Sequence, residues 1–190
     1  MNKAPPHPPL ARPGPLAAAA RLAEILRVDH AGELGAVHIY RGQRAVLNRA
    51  PGKDRAAFLL QEMEGHEAEH LAALDRALVA RRVRPSLLTP LWRTAGFALG
   101  AATALIGEKA AHACTEAVET VIEEHYAGQI AELADREPDL AAELSRFRDD
   151  ELAHRDRAVE EGAREAPAYP LLSALIRAGC RAAIKVSERI

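Results

Sequence analysis

The chain has 190 residues, enough for one domain with a buried core and too few for a repeat array or a multidomain enzyme. Its 25 basic and 27 acidic residues leave a net charge of −2, which speaks against nucleic acid as a partner, since such binding rests on a basic footprint. Hydrophobic residues make up 48% but aromatics only 4%, so alanine and leucine carry the apolar character and the chain reads as all-α.

Six of the twelve prolines fall within the first fifteen residues, which predicts a disordered arm over residues 1–16 and a single domain over 17–190. The apolar run at 16–20 meets Arg21 and Glu24 too soon to be a signal-peptide core, so no export is expected. A first helix is predicted over 17–48, ended by Ala50-Pro51-Gly52, and a second over 53–83, closed by Arg84-Pro85. Thr89-Pro90 reads as the N-cap and first-turn proline of a third helix, apolar on all sides, reaching Gly107. Its uncharged stretch, 94–107, falls short of the roughly 20 residues needed to cross a bilayer. Polar–apolar periodicity returns over 108–135, breaks at Arg136-Glu137-Pro138 and resumes over 139–164, giving a fourth and a fifth helix. Pro167 and Pro170 bracket a turn before a sixth, basic amphipathic helix over 171–190. It is expected to set Leu171, Leu172, Leu175 and Ile176 on one side, with Arg177, Arg181 and Lys185 as cations. Cys114 and Cys180 are too far apart for a Cys-x-x-Cys motif and too few for a disulfide framework, and fit a reducing cytoplasm.

Two Glu-x-x-His pairs, Glu67/His70 and Glu151/His154, lie mid-helix, where positions three apart share a face. Such a pair also arises on charged outer faces, but a second regularity accompanies these two. Glu33 precedes Glu67 by 34 positions and Glu119 precedes Glu151 by 32; Tyr40-x-Gly42-Gln43 follows Glu33 at the offsets at which Tyr126-x-Gly128-Gln129 follows Glu119. The chain therefore reads as two copies of a helical hairpin, each with one Glu on its first helix and Glu-x-x-His on its second. Paired, they make a four-helix bundle with four glutamates and two histidines facing one another, the ligand set of ferritin-like dimetal proteins. Four carboxylates balance two divalent cations, and oxygen with imidazole donors suits iron or manganese better than zinc. The bland reading makes the same acids ion-paired core or surface residues, at the cost that buried carboxylates carry.

The stretch Arg27-Val28-Asp29-His30-Ala31-Gly32-Glu33-Leu34-Gly35-Ala36, with Ala113-Cys114-Thr115 to Glu119, His125-Tyr126 and Ala178-Gly179-Cys180-Arg181, resembles the demethoxyubiquinone hydroxylase family of ubiquinone biosynthesis. The resemblance spans residues 21–190 in order, with a shortened connection between the fourth and fifth helices. It implies a ferritin-like di-iron monooxygenase acting on demethoxyubiquinol and O2, peripheral to the cytoplasmic face of the inner membrane. It also implies Glu67 and Glu151 as bridging carboxylates, Glu33 and His70 completing one iron site, and Glu119 and His154 the other. The family's His-Tyr pair falls on His125 and Tyr126, a candidate proton or redox relay, although Tyr126 reads equally as a packing tyrosine. Tyr40 takes the packing reading, Cys180 likewise, and His66 and His112 read as ordinary polar residues. Glu64, Glu116 and Glu123, one turn from ligand positions, are candidate outer partners or members of a shifted ligand set.

The bundle core alone fits a second class, ferritin-like iron storage. The apolar segment around Trp92, Phe97 and Leu99 and the basic tail favour a lipid-soluble substrate and a membrane surface instead. No Gly-x-Gly-x-x-Gly fingerprint is present, so electrons are expected from the reduced substrate or from another protein, and the partners left open include other ubiquinone-biosynthesis proteins and a second copy of the chain.

Overall fold

The computed structural model describes residues 15–189, with side chains from residue 17; the proline-rich arm expected over 1–16 lies outside the described residues except for its last two. Those open α1 (Pro15–Leu47), followed by α2 (Asp54–Arg81), α3 (Thr89–Ile106), α4 (Glu108–Leu133), α5 (Pro138–Glu160), a 3-10 turn (Ala163–Glu165) and α6 (Tyr169–Ser187). The described residues contain no strand.

Each bundle helix buries a stripe whose spacing alternates between three and four. On α2 the stripe is Leu60, Met63, Glu67, His70, Leu74 and Ala77; on α5 it is Leu140, Leu144, Phe147, Glu151, His154 and Ala158. This is the core register of an antiparallel bundle, so the Glu-x-x-His pairs occupy positions that would otherwise hold leucines. α1 pairs with α2 and α4 with α5, while α3 lies along α1 and α6 along α4. The apolar core is split in two. Ile25, Leu26, Leu74, Leu78, Leu133, Leu140 and Leu144 fill one end of the bundle, and Leu47, Ala56, Ala57, Leu60, Met63 and Ala111 the other, with the acids between.

α3 approaches α1 backbone to backbone. A Cβ on Gly42 would collide with the Phe97 carbonyl, one on Gly100 with the Ile39 carbonyl, and one on Gly96 would lie 2.6 Å from the Gly35 oxygen. Gly128, the repeat mate of Gly42, has open space around it.

The helix ends depart from expectation where backbone geometry intervenes. α5 stops at Glu160 instead of 164 because Gly162 turns left-handed, with φ +89°, and only a 3-10 turn follows. α2 stops at Arg81, where left-handed Arg82 and a Val83 N–H to Leu78 carbonyl bond close the last turn. Thr89 is already helical and donates its hydroxyl to the Ser86 carbonyl rather than capping α3. A single residue, Gly107 at φ +147°, joins α3 to α4.

α6 is apolar on two sides, not one. Leu172 and Ile176 pack inward, whereas Leu171 and Leu175 are more than 60% exposed, because these two i, i+4 pairs sit about 100° apart on the helix. Two of its expected free cations are engaged: Arg177 donates to Glu116 at 2.6 Å and Arg181 to Glu124 at 3.0 Å. Trp92 and Leu99 line a groove between α3 and α6, while Phe97, Leu91, Leu105 and Ile106 face outward. No described helix is long and apolar enough to cross a membrane.

The two repeat-related glycines should answer oppositely to the same change. Gly42→Ala should lower the melting temperature, overpacking costing about 1–3 kcal/mol, whereas Gly128→Ala should raise it slightly through helix propensity, by about 0.5–1 kcal/mol. Thermal melts followed by circular dichroism check both signs.

Candidate metal centre

The structure brings all six sequence-predicted metal-site residues together, each 3% exposed or less. Glu33, Glu67, His70 and Glu151 offer ligand atoms within 4.8 Å of one another, and so do Glu67, Glu119, Glu151 and His154. Glu67 and Glu151 belong to both groups. Nδ1 of His70 stands 3.5 Å from Glu33 Oε2, 3.4 Å from Glu151 Oε1 and 3.8 Å from Glu67 Oε2. Nδ1 of His154 stands 3.0 Å from Glu67 Oε1 and 3.7 Å from Glu151 Oε2.

These atoms are close but not aligned as hydrogen bonds. Glu33 Oε2, both oxygens of Glu67 and Glu151, Glu119 Oε2, and Nδ1 of both histidines are buried without a hydrogen-bond partner. In a dry core that pattern is costly unless a cation fills the space the atoms share, and hard oxygens with neutral imidazoles suit a divalent metal. The residues present therefore fit a metal site.

What surrounds the donors fixes their orientation. Tyr40 donates its hydroxyl to Glu119 Oε1 at 2.7 Å, and Tyr126 donates to Glu33 Oε1, so each tyrosine crosses to the glutamate of the other half. Tyr40, expected only to pack, thus has the same part as its mate. The outer nitrogens of the histidines are also held across the halves: His70 Nε2 lies 3.0 Å from Asp150 Oδ2, and His154 Nε2 lies 3.0 Å from His66 Nδ1. Such contacts set which imidazole nitrogen turns inward. His66 is therefore no ordinary surface histidine; its ring also stacks on His154, with centroids 5.2 Å apart. Phe147 covers His70, centroids 4.1 Å apart.

Asp150 escapes the sequence reading, and His66, read there as an ordinary polar residue, instead stands against His154. Each immediately precedes the Glu of its Glu-x-x-His pair, and the offset is the same in both halves, but the residue types differ and identity alone passes over them. His125 does not reach the cluster. Its Nε2 faces Gln129 Nε2 at 2.8 Å and Asp29 Oδ1 at 3.5 Å, and Gln129 donates to Asp29 at 2.7 Å. Glu64, Glu116 and Glu123 turn away from it, held by Arg41 and Arg44, by Arg177, and by Arg148 respectively. Cys180 lines the groove and Cys114 is buried behind it; burial pushes both thiols up to about 12, so neither is a ready nucleophile.

Crowding splits the charges of the cluster. Burial, then the negative charge of Glu151, pushes both Glu67 and Glu119 well above the ordinary carboxylate value. Burial also pushes Glu151 up, but the imidazoles of His154 and His70 beside it outweigh that and hold Glu151 at about 2. For His70, burial works downward and is overcome by Glu151 and Glu33, which raise it to about 11. Without metal the cluster thus balances itself with protons.

Behind the seam of α1 and α4 runs an apolar groove of about 470 Å³, walled by Trp92 and Leu99 from α3 and by Leu172, Ile176 and Ile184 from α6. Gly32, Val118 and Ile122 lie along its floor, so it passes directly behind Glu33 and Glu119.

Sequence comparison gives this arrangement its relatives. The family described as ubiquinone biosynthesis protein COQ7 matches residues 20–187. The chain belongs to the COQ7 family. Among similar proteins, the 3-demethoxyubiquinol 3-hydroxylase of Rhodospirillum rubrum is 52% identical over 178 residues, 94% of this chain and 82% of that protein. The NADPH-dependent 3-demethoxyubiquinone 3-hydroxylase, mitochondrial, of Homo sapiens is 48% identical over 170 residues, covering 87% and 76%. The 5-demethoxyubiquinone hydroxylase, mitochondrial, of Saccharomyces cerevisiae is 43% identical over 190 residues, covering 92% and 80%. The COQ7 match thus takes in all six helices except the first five residues of α1, and the acids of both hairpins lie inside it.

The charge balance predicts how the metal-free chain responds to pH. Raised Glu67 and Glu119 stabilise the fold while protonated and lose that contribution as pH climbs through their folded values. Raised His70 contributes fully below its ordinary value of 6.5 and loses it as pH climbs toward 11, while depressed Glu151 matters only as pH falls toward 2. From pH 6 to pH 9 the melting temperature of the metal-free chain should therefore fall, by about 3–6 °C per pH unit for each proton the fold retains. Added divalent metal should reverse the slope, because it replaces those protons. Calorimetry with and without metal measures both.

Proposed function

We propose that the protein is a di-iron hydroxylase that inserts one oxygen atom of O2 into the ring of demethoxyubiquinol in ubiquinone biosynthesis. The observation that carries this reading is the set of inward-facing, unpartnered carboxylate and imidazole atoms, contributed equally by two hairpins, in a chain of the COQ7 family. Its relatives are named as hydroxylases of demethoxyubiquinol or demethoxyubiquinone. Iron storage has no observation in its favour, and the apolar groove would have no use in it.

Glu67 and Glu151 would bridge two irons, Glu33 with His70 and Glu119 with His154 completing the two sites. Bound there, the irons would supply two electrons and open positions for O2. The chain's own residues do the rest. Tyr126 and Tyr40 hold one oxygen each of Glu33 and Glu119 and leave the other to the interior. Phe147 and the two apolar ends of the bundle exclude water from the reacting region. The quinol ring lies in the groove behind Glu33 and Glu119. The second oxygen atom of O2 leaves as water, and the protons it takes up come in past Asp29, which meets His125 and sits one helical turn from Glu33, and past Tyr126, which donates to Glu33. Mammalian relatives are named NADPH-dependent; here the reduced quinol or a partner protein supplies the electrons.

With labelled O2 and a reduced demethoxylated quinol, the new hydroxyl should carry the label, and Glu151→Gln should abolish product while the chain stays helical. Gly179→Leu, which enters open space in the groove, should raise KM by about tenfold or more with metal content unchanged. Label from water, or turnover without iron, would sink the reading.

The same surface accounts for where the enzyme works. Leu91, Phe97, Leu105 and Ile106 of α3 and Leu171 and Leu175 of α6 flank the mouth of the groove and are 42–74% exposed. They rest on the cytoplasmic face of the inner membrane as a peripheral attachment, delivering the ring from the lipid side. Apolar contact dominates, since of the three α6 cations expected to meet headgroups only Lys185 lacks a carboxylate partner among the described residues. Phe97→Asp with Leu105→Asp should cut co-sedimentation with liposomes, whereas Lys185→Ala should change it little. Equal sedimentation of the aspartate variant would assign this face to a protein contact.

A further inference from the structure

At the end of the bundle where α4 begins and α5 ends, Glu108, His112 and Glu161 bring one potential ligand atom each to within 4.8 Å of one another. This cluster is separate from the inner six. His112 is fully buried, and neither Nδ1 nor Nε2 has a hydrogen-bond partner. An imidazole shut away from water with both nitrogens idle is costly, and a native core keeps such a group only with something to bind it.

The geometry aims this ring at the two acids. His112 stands seven positions before Glu119, two turns nearer the start of α4 and on the same face, while Glu161 stands seven positions after His154. Each carboxylate is already steadied through one oxygen: Lys53 Nζ donates to Glu108 Oε2 at 2.6 Å, and Arg55 donates to Glu161 Oε1. The other oxygen of each has no hydrogen-bond partner among the described residues. Burial holds His112 below its ordinary value against the opposing pull of Glu108 and Glu161, so the ring is neutral at pH 7 and keeps a free lone pair.

We propose that Glu108, His112 and Glu161 form a second cation site, distinct from the inner cluster, that takes one divalent first-row ion. One imidazole and two carboxylates with water completing the shell suit Zn2+, and the two acids neutralise its charge. Lys53 and Arg55 orient the carboxylates from outside and link the start of α2 to the same point. The ion fastens the first turn of α4, just past the Gly107 joint, to the residue that caps α5. The carbonyls at the C-terminus of α5 add their negative field.

Co2+, a coloured stand-in for Zn2+, tests this in the full chain freed of metal by a chelator. The chain with Glu67→Gln and Glu151→Gln, its inner cluster dismantled, should still bind one Co2+, and His112→Met should bind one fewer than the unaltered chain. Glu161→Gln, an isosteric change at a largely buried side chain, should weaken the same site by more than about 100-fold, since loss of an outer orienting group alone costs about 10–100-fold. Stoichiometry is read by visible absorption and by metal analysis. Co2+ binding unchanged by His112→Met and Glu161→Gln would overturn the assignment. So would the absence of any bound ion once the inner cluster is dismantled, provided circular dichroism shows that chain folded. An unaltered chain that bound a single Co2+, lost with His112→Met, would count against the di-iron reading and leave this one standing.

Discussion

Four carboxylates enclosed in a helical core cannot all stay ionised without positive charge among them, and this constraint governs the rest of the molecule. Glu33, Glu67, Glu119 and Glu151 occupy register positions where leucines would stabilise the bundle outright. The apolar layers above and below the acids supply the stability that this central layer forgoes. With protons alone the layer settles into a divided state, with Glu151 and His70 ionised while Glu67 and Glu119 resist ionisation. A pair of divalent cations would relieve all four acids at once, so the folded chain is built around a charge it does not itself contain.

The two hairpins are more than neighbours across this layer. Each tyrosine bonds to the other hairpin's glutamate, and each ligand-type histidine is held from outside by the other hairpin's residue. Glu33, Glu119 and both histidines are therefore positioned by the half to which they do not belong. A hairpin on its own would have its glutamate and histidine without the groups that aim them, and the centre exists only in the assembled bundle. The exchange is not fully symmetric: a carboxylate stands behind His70 and an imidazole behind His154. A carboxylate makes its histidine the more basic donor, which gives the two sides of the centre different character.

The helix order, the two-hairpin plan and the convergence of six residues were legible in the sequence because the repeat preserves residue types that are expensive to bury. What was not legible depends on contacts far apart in the chain or on backbone geometry. Tyr40 looked like packing because its partner, Glu119, lies in the other half. Arg177 and Arg181 looked free because Glu116 and Glu124 meet them only after α6 folds back on α4. The overrun of α5 follows from Gly162, whose left-handed turn no periodicity announces. His66 and Asp150 were invisible to a search for identical repeat residues because the two halves solve one orienting task with different chemistry.

The glycine contacts between α1 and α3 bear on how the groove can change shape. Where backbone lies against backbone, no layer of side chains is left to yield by changing rotamer, so α3 and the helix that carries Glu33 behave as one stiff wall. Opposite them, α6 meets α4 through Leu172, Ile176 and long ion-pairing arginines, a cushion with many internal degrees of freedom. Any room for a bulky ring therefore comes from the side chains beneath α6 changing rotamer, on the one side of the groove where side chains rather than backbone make the contact.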